Sequence, residues 1–233
     1  MKTSLVLWDF ISSFLWVWSS VLIRVMMYQI FGLGNSFVGE MVKSAMAIAN
    51  MFFFAFLGKL SGGGAYNPIA VLSSAISGGI THFLFTALFR IPAQVMGSIC
   101  GVQLILYTFP EVGLGPKLTV NIYQGALTEG LLTFAISMIS QGLAMKIPGS
   151  FFRKTWISSV SKLALHVLGS DLTGGCMNPA SVFGWAFARG DHISREHIIV
   201  YWVAPIEAAI MAVWTFNLLV TPLNREERKK KLL

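Results

Sequence analysis

Six stretches of this chain are apolar over lengths that match a lipid bilayer, near 5–30, 41–57, 83–107, 126–144, 156–171 and 198–220. A helix rises ~1.5 Å per residue and a hydrocarbon core is ~30 Å thick, so about 20 apolar residues suffice to cross it. Composition points the same way. Hydrophobic residues make up 55% of the chain and charged ones 12%, and the mean hydropathy is +0.69, which excludes an ordinary soluble domain. The first run is too long for the apolar core of a signal peptide and is read as the first span.

The joints at 32–40, 108–123 and 146–154 carry the Gly, Pro and charge that end helices, and none is long enough for a soluble domain. The net charge of +7 is not gathered on an aromatic-laced surface, so a nucleic-acid partner is excluded and the charge is read as topology instead. Ten basic residues (Lys2, Lys59, Lys146, Arg153, Lys154, Arg225, Arg228, Lys229, Lys230, Lys231) fall on one side of six crossings, against Lys117, Arg189 and Arg195 on the other. The positive-inside rule then predicts both termini in the cytosol. The two cysteines, Cys100 and Cys176, read as free thiols, and no two of the four histidines have metal-ligand spacing, so no metal is expected. His82, His192 and His197 read as interfacial residues.

Two further apolar stretches, 69–80 and 180–189, are too short to cross. Each follows the second span of its half, and each follows a cluster of glycines. Gly63, Gly64, Ala65, Tyr66, Asn67, Pro68, Ile69, Ala70 and Val71 align without gaps on Gly174, Gly175, Cys176, Met177, Asn178, Pro179, Ala180, Ser181 and Val182, a shared frame G-G-x-x-N-P-x-[A/S]-V. Proline suits the first turn of a helix and asparagine the cap before it, so each box predicts a re-entrant half-helix. In an inverted repeat the two helix starts meet at mid-membrane, with both positive dipole ends and both carboxamides at one point that polarises water and repels cations.

The chain thus reads as a single domain, 1–233, with repeat 1 at about 4–107, repeat 2 at about 124–220 and a basic tail at 221–233. Each half also has one acid early in its first span, Asp9 and Glu129. A carboxylate at membrane depth needs partners, and two readings stand: it holds the backbone N–H groups of the re-entrant loop, or it bonds a neighbouring helix as structural glue. Arg90 and Lys162 lie in predicted spans and are expected to snorkel, pair or face the interior of an oligomer.

With six spans, two half-helices and paired Asn-Pro boxes, the chain resembles the aquaporins, or major intrinsic proteins, over essentially its whole length. Within them it is similar to the small basic intrinsic proteins of plants, the SIP2 type, on its short amino terminus, basic tail, altered first box and the run Leu165, His166, Val167, Leu168, Gly169, Ser170, Asp171, Leu172, Thr173 leading into the second box. The resemblance implies an all-α membrane protein with an hourglass-shaped, aquaporin-like fold. It also implies a homotetramer with one pore per subunit, passage of water or another small uncharged solute, and residence in the endoplasmic reticulum.

Two departures from the family pattern follow. The first box ends in Ile69 rather than alanine, which adds bulk beside the asparagines, whereas Asn178, Pro179 and Ala180 keep the usual form. Ser181 stands where most of the family has an arginine three residues after the asparagine. The remaining members of that outer filter fall, by similarity, at Ala47, His166 and Gly175, giving a wider and less electropositive ring to which a protonated His166 returns charge. Cys176, two residues before Asn178, is either a pore thiol or inert packing. The terminal Lys230, Lys231, Leu232, Leu233 resembles a dilysine signal read by a retrieval coat; the competing reading is juxtamembrane charge.

No nucleophile–base pair, phosphate loop or cofactor motif suggests an enzyme. The rival to a channel is a membrane structural or interaction protein that kept the fold with little pore throughput.

Overall fold

The computed structural model describes residues 2–34, 36–76, 78–145 and 147–230, with side chains between Thr3 and Leu219. The described residues are helical with no strand. The first long helix, α1 (Lys2–Val25), continues through a π turn at Met26–Ile30 and is followed by α2 (Phe37–Leu60) and the short α3 (Pro68–Ile76). Next, α4 (Ile80–Phe85) runs through a π turn at Thr86–Arg90 into α5 (Ile91–Thr108). The second half repeats this order with α6 (Ile122–Met145), α7 (Phe151–Gly169) and the short α8 (Pro179–Arg189). Finally α9 (Arg195–Ile198) passes through a π turn at Ile199–Val203 into α10 (Ala204–Lys230).

Five of these helical stretches, Thr3–Ile30, Phe37–Leu60, Ile80–Thr108, Ile122–Met145 and Arg195–Leu219, are long and apolar enough to cross a membrane. The sixth, α7, has 19 residues and falls short by composition because it carries Arg153, Lys154 and Lys162. It packs between α2 and α6.

Several boundaries differ from the hydropathy reading. Helix α2 starts at Phe37 rather than 41 because the Ser36 hydroxyl accepts a hydrogen bond from the Gly39 N–H at 3.0 Å, and α7 starts at Phe151 because Ser150 caps Arg153 N in the same way. Such caps lie in polar sequence that a hydropathy count assigns to the joint. The first short segment ends at Ile76, and Ile80 opens the next span. The closing helix runs on to Lys230 through the stretch assigned to the tail.

Large apolar side chains such as Leu7, Leu88, Leu127 and Trp214 face outward, while the interior holds apolar residues such as Val17, Val102 and Ile105 together with polar ones such as Asp9, Gln94, Glu129 and Thr133. That is the arrangement expected where the surroundings are lipid and helices associate by close packing. At Gly97 and Gly101 of α5 an added Cβ would run into the Phe10 and Phe14 backbone of α1 and into Val17. These two small residues let α1 and α5 approach backbone to backbone.

Candidate pore site

The two boxes meet head to head. Asn67 donates its amide Nδ2–H to the Met177 carbonyl at 2.7 Å, and Asn178 donates its own to the Tyr66 carbonyl at 3.2 Å. Each asparagine therefore bonds the residue just before the other, a reciprocal pair across an approximate two-fold. The side-chain oxygens turn back to cap the half-helices: Asn67 Oδ1 accepts from Ile69 N at 2.9 Å and Asn178 Oδ1 from Ser181 N at 3.4 Å. An amide carries two N–H bonds. Each asparagine donates one of its two to the opposite box, at the point where two helix N-termini converge.

Behind each box stands the acid of its half. Asp9, fully buried, accepts from Ala65 N at 2.7 Å and forms a bidentate ion pair with Arg90 at 2.6 and 2.9 Å. The same guanidinium donates to the Gly63 carbonyl at 2.6 Å. Arg90 thus pairs inward, and the π turn that carries it places it under the first Gly cluster. In the second half Glu129 accepts from Thr173 Oγ1 at 2.6 Å and from the N–H groups of Cys176 and Met177, both at 2.8 Å. Tyr201, on the matching π turn, donates its hydroxyl to the Thr173 carbonyl at 2.8 Å. Both acids contact their re-entrant loops, which the sequence left as one of two readings.

Met177 takes a positive φ of 47°, a conformation few side chains adopt. It has to, since its N–H faces Glu129 while its carbonyl faces Asn67. Gly175 (φ 51°) is buried, and a Cβ there would meet the His166 carbonyl. His166 is exposed, with Nδ1 3.1 Å from the Gly175 carbonyl oxygen. Ser181 is half-buried, and its carbonyl accepts from the Ser98 hydroxyl at 3.4 Å. Ala47 lies half-buried on α2.

Ile69 is 4% exposed, so its bulk is packed into the protein, and Pro68, Pro179 and Ala180 are likewise buried. The Cys176 sulfur lies 3.8 Å from the Thr173 carbonyl, and its side chain packs against Val182, Val200 and Tyr201. His197 is buried rather than exposed: it is 3% accessible, with its ring beside those of Phe183 and Tyr201, because it is the one residue of α9 on the inward face, its three neighbours being exposed. Of the dilysine pair, Lys231 and the side chain of Lys230 lie outside the described residues.

Sequence reasoning missed a cavity between three of the long helices. A cavity of about 300 Å³ opens between α2, α6 and α7. Tyr66 lines it, stacked on Trp16 with centroids 4.0 Å apart. Lys162 donates to the Tyr66 hydroxyl at 3.3 Å and lies over the rings of Tyr66 and Trp16 at 5.3 and 6.0 Å. Lys154, Ser158, Lys162 and His166 recur every four residues along α7, which puts them on one face of the helix. That spacing was readable; the ring stack of an α1 tryptophan on a loop tyrosine was not.

Membrane-spanning helices around two half-helices that meet at their capping asparagines define a multi-pass membrane protein with an aquaporin-like fold. The fold matches the X-ray structure of the aquaglyceroporin from Plasmodium falciparum with a TM-score of 0.74 and 15% identity, covering 96% of this chain and 98% of that one. The profile of the family described as "MIP: Major intrinsic protein" matches residues 3–216. The chain belongs to the major intrinsic protein family. It is 50% identical over 231 residues to "Probable aquaporin SIP2-1" of Arabidopsis thaliana, covering 99% of this chain and 98% of the relative. It is 46% identical over 227 residues to "Aquaporin SIP2-1" of Zea mays, covering 97% and 91%. Membership carries the class of activity: a channel for water or small solutes, and not an enzyme.

Proposed function

We propose that this chain forms a passive pore for water or small uncharged solutes between its two halves, past Asn67 and Asn178. An outer ring of Ala47, His166, Gly175 and Ser181 follows. The observation that carries this reading is the reciprocal pair of asparagine bonds, which brings two helix N-termini together and uses one of the two amide N–H groups on each asparagine. A solute with a lone pair can exchange its water partners for these donors, while a cation meets two positive dipole ends. Asp9 and Glu129 hold the loops that present them.

The protein works as a homotetramer in the membrane of the endoplasmic reticulum, with both termini cytosolic and a retrieval coat reading Lys230 and Lys231. The basic joints and tail support that orientation, and the SIP2-1 relatives support the subgroup. Stopped-flow light scattering on reconstituted vesicles tests the pore. Water, glycerol, hydrogen peroxide, urea and small neutral acids are each driven across the same preparation. At least one is expected to move faster than in protein-free vesicles and to slow in Asn178→Leu. Protein-free rates for every solute would instead favour an aquaporin-fold membrane protein that serves structure or interaction.

A further inference from the structure

We propose that the cavity between α2, α6 and α7 is a binding site for one small oxyanion, a carboxylate or a phosphate, held between Lys162 and Lys154. This goes beyond solute passage and stands whether or not the pore conducts. The wall supplied by α7 is cationic and hydroxylic: Lys154, Thr155, Ser158, Ser159 and Lys162 all line the cavity, and no carboxylate does. Among the described residues neither lysine forms an ion pair, whereas Lys43, Arg90 and Arg189 do.

An ammonium at membrane depth without a counter-charge is costly. Lys162 is only partly compensated, by the Tyr66 hydroxyl and two ring faces, neither of which neutralises it. Because Tyr66 Oη accepts from Lys162, its own proton is free to donate elsewhere, adding a neutral donor beside the charge. The two lysine Cα atoms are eight residues apart on one helix, about 12 Å at 1.5 Å per residue. Two flexible stems span that gap around an ion of a few ångströms, with Ser158 midway between them.

Size agrees with the charge. A cavity of about 300 Å³ holds an acetate or phosphate together with several waters at about 30 Å³ each. Opposite, Met51, Phe54 and Leu143 are apolar and strengthen the attraction by lowering the local dielectric. A divalent metal is excluded, since two lysines and no carboxylate line it.

The test is binding at equilibrium, with no gradient across a membrane, so its result is independent of flux. Full-length protein in neutral nanodiscs is titrated with inorganic phosphate and, separately, acetate by isothermal calorimetry. We expect saturable binding of at least one probe near one site per chain, weakened about tenfold or more in Lys162→Met and kept within about threefold in Lys162→Arg. Lys59→Met, on the surface beside Phe151, is expected to bind as the unaltered protein does, and thermal unfolding of each variant checks that it is folded. Repeating the titration in discs with one fifth phosphatidate, as an arbitrary choice of about 20%, separates the sources. Loss of probe binding there assigns the site to a lipid headgroup, and unchanged binding assigns it to a soluble anion. Absence of saturable binding for both probes in neutral discs, or Lys162→Met binding as tightly as the unaltered chain, would overturn the proposal.

Discussion

The first and second boxes carry out the same task with different chemistry. In both, a buried acid from the first span of the half accepts backbone N–H bonds from the Gly-rich loop, and a residue on a π turn bonds a loop carbonyl. That π-turn residue lies 23 positions after the box asparagine in each half, Arg90 after Asn67 and Tyr201 after Asn178. In the first half it is a guanidinium paired with Asp9; in the second it is a phenol, and Glu129 has no cation partner among the described ion pairs. One duplicated scaffold thus admits an ionic anchor and a hydroxyl-based one. The two should fail differently: removing one member of a buried ion pair strands the other, whereas removing a neutral donor costs a single bond.

Four substitutions sharpen that contrast. Arg90→Met should be the most damaging, about 3–5 kcal/mol by analogy with broken buried pairs, because it strands the Asp9 carboxylate and leaves the Gly63 carbonyl without its donor. Chemical denaturation in mild detergent reads the loss. Glu129→Gln comes next, at about 2 kcal/mol, since the amide keeps one acceptor for the three donors that Glu129 now serves. Thermal unfolding checks it, together with faster hydrogen exchange at the Cys176 and Met177 amides. Tyr201→Phe removes one hydroxyl bond and should cost about 0.6–1 kcal/mol, the usual scale for a hydrogen bond between membrane helices. If it equals Arg90→Met, the two anchors are not different in kind. The double variant Asp9→Asn/Arg90→Met should lose about 1 kcal/mol or less relative to the unaltered protein, because the asparagine still accepts from Ala65 N and no charge is left behind.

How much of this was legible beforehand depends on the range of the interaction. The spans and half-helices follow from local periodicity and composition, and the boxes from a repeated nine-residue frame. Asp9 and Glu129 stood out because an acid in an apolar run needs a partner. Their partners did not. Arg90 lies 81 residues from Asp9, and only the folded π turn shows that it points to the loop rather than to lipid. The same limit hid the cavity between α2, α6 and α7: Lys162 meets Tyr66 across 96 residues, although its four-residue spacing from His166 already put both on one face of α7. His197 was misplaced for a related reason. A histidine in a polar stretch looks interfacial until the fold shows its ring packed against Phe183 and Tyr201.

The most direct test of the account is the flux through the first box when its ion pair is broken and then removed altogether. With the fastest solute of the vesicle survey, permeability per reconstituted chain is measured for the unaltered protein, Arg90→Met and Asp9→Asn/Arg90→Met. The account predicts that the single variant loses about tenfold or more of its permeability, since Asn67 is no longer presented to Met177, and that the double variant recovers to within about threefold of the unaltered protein. Equal permeability in the single and double variants, at either a high or a low level, would contradict the claim that a matched ion pair holds the first half of the pore in place.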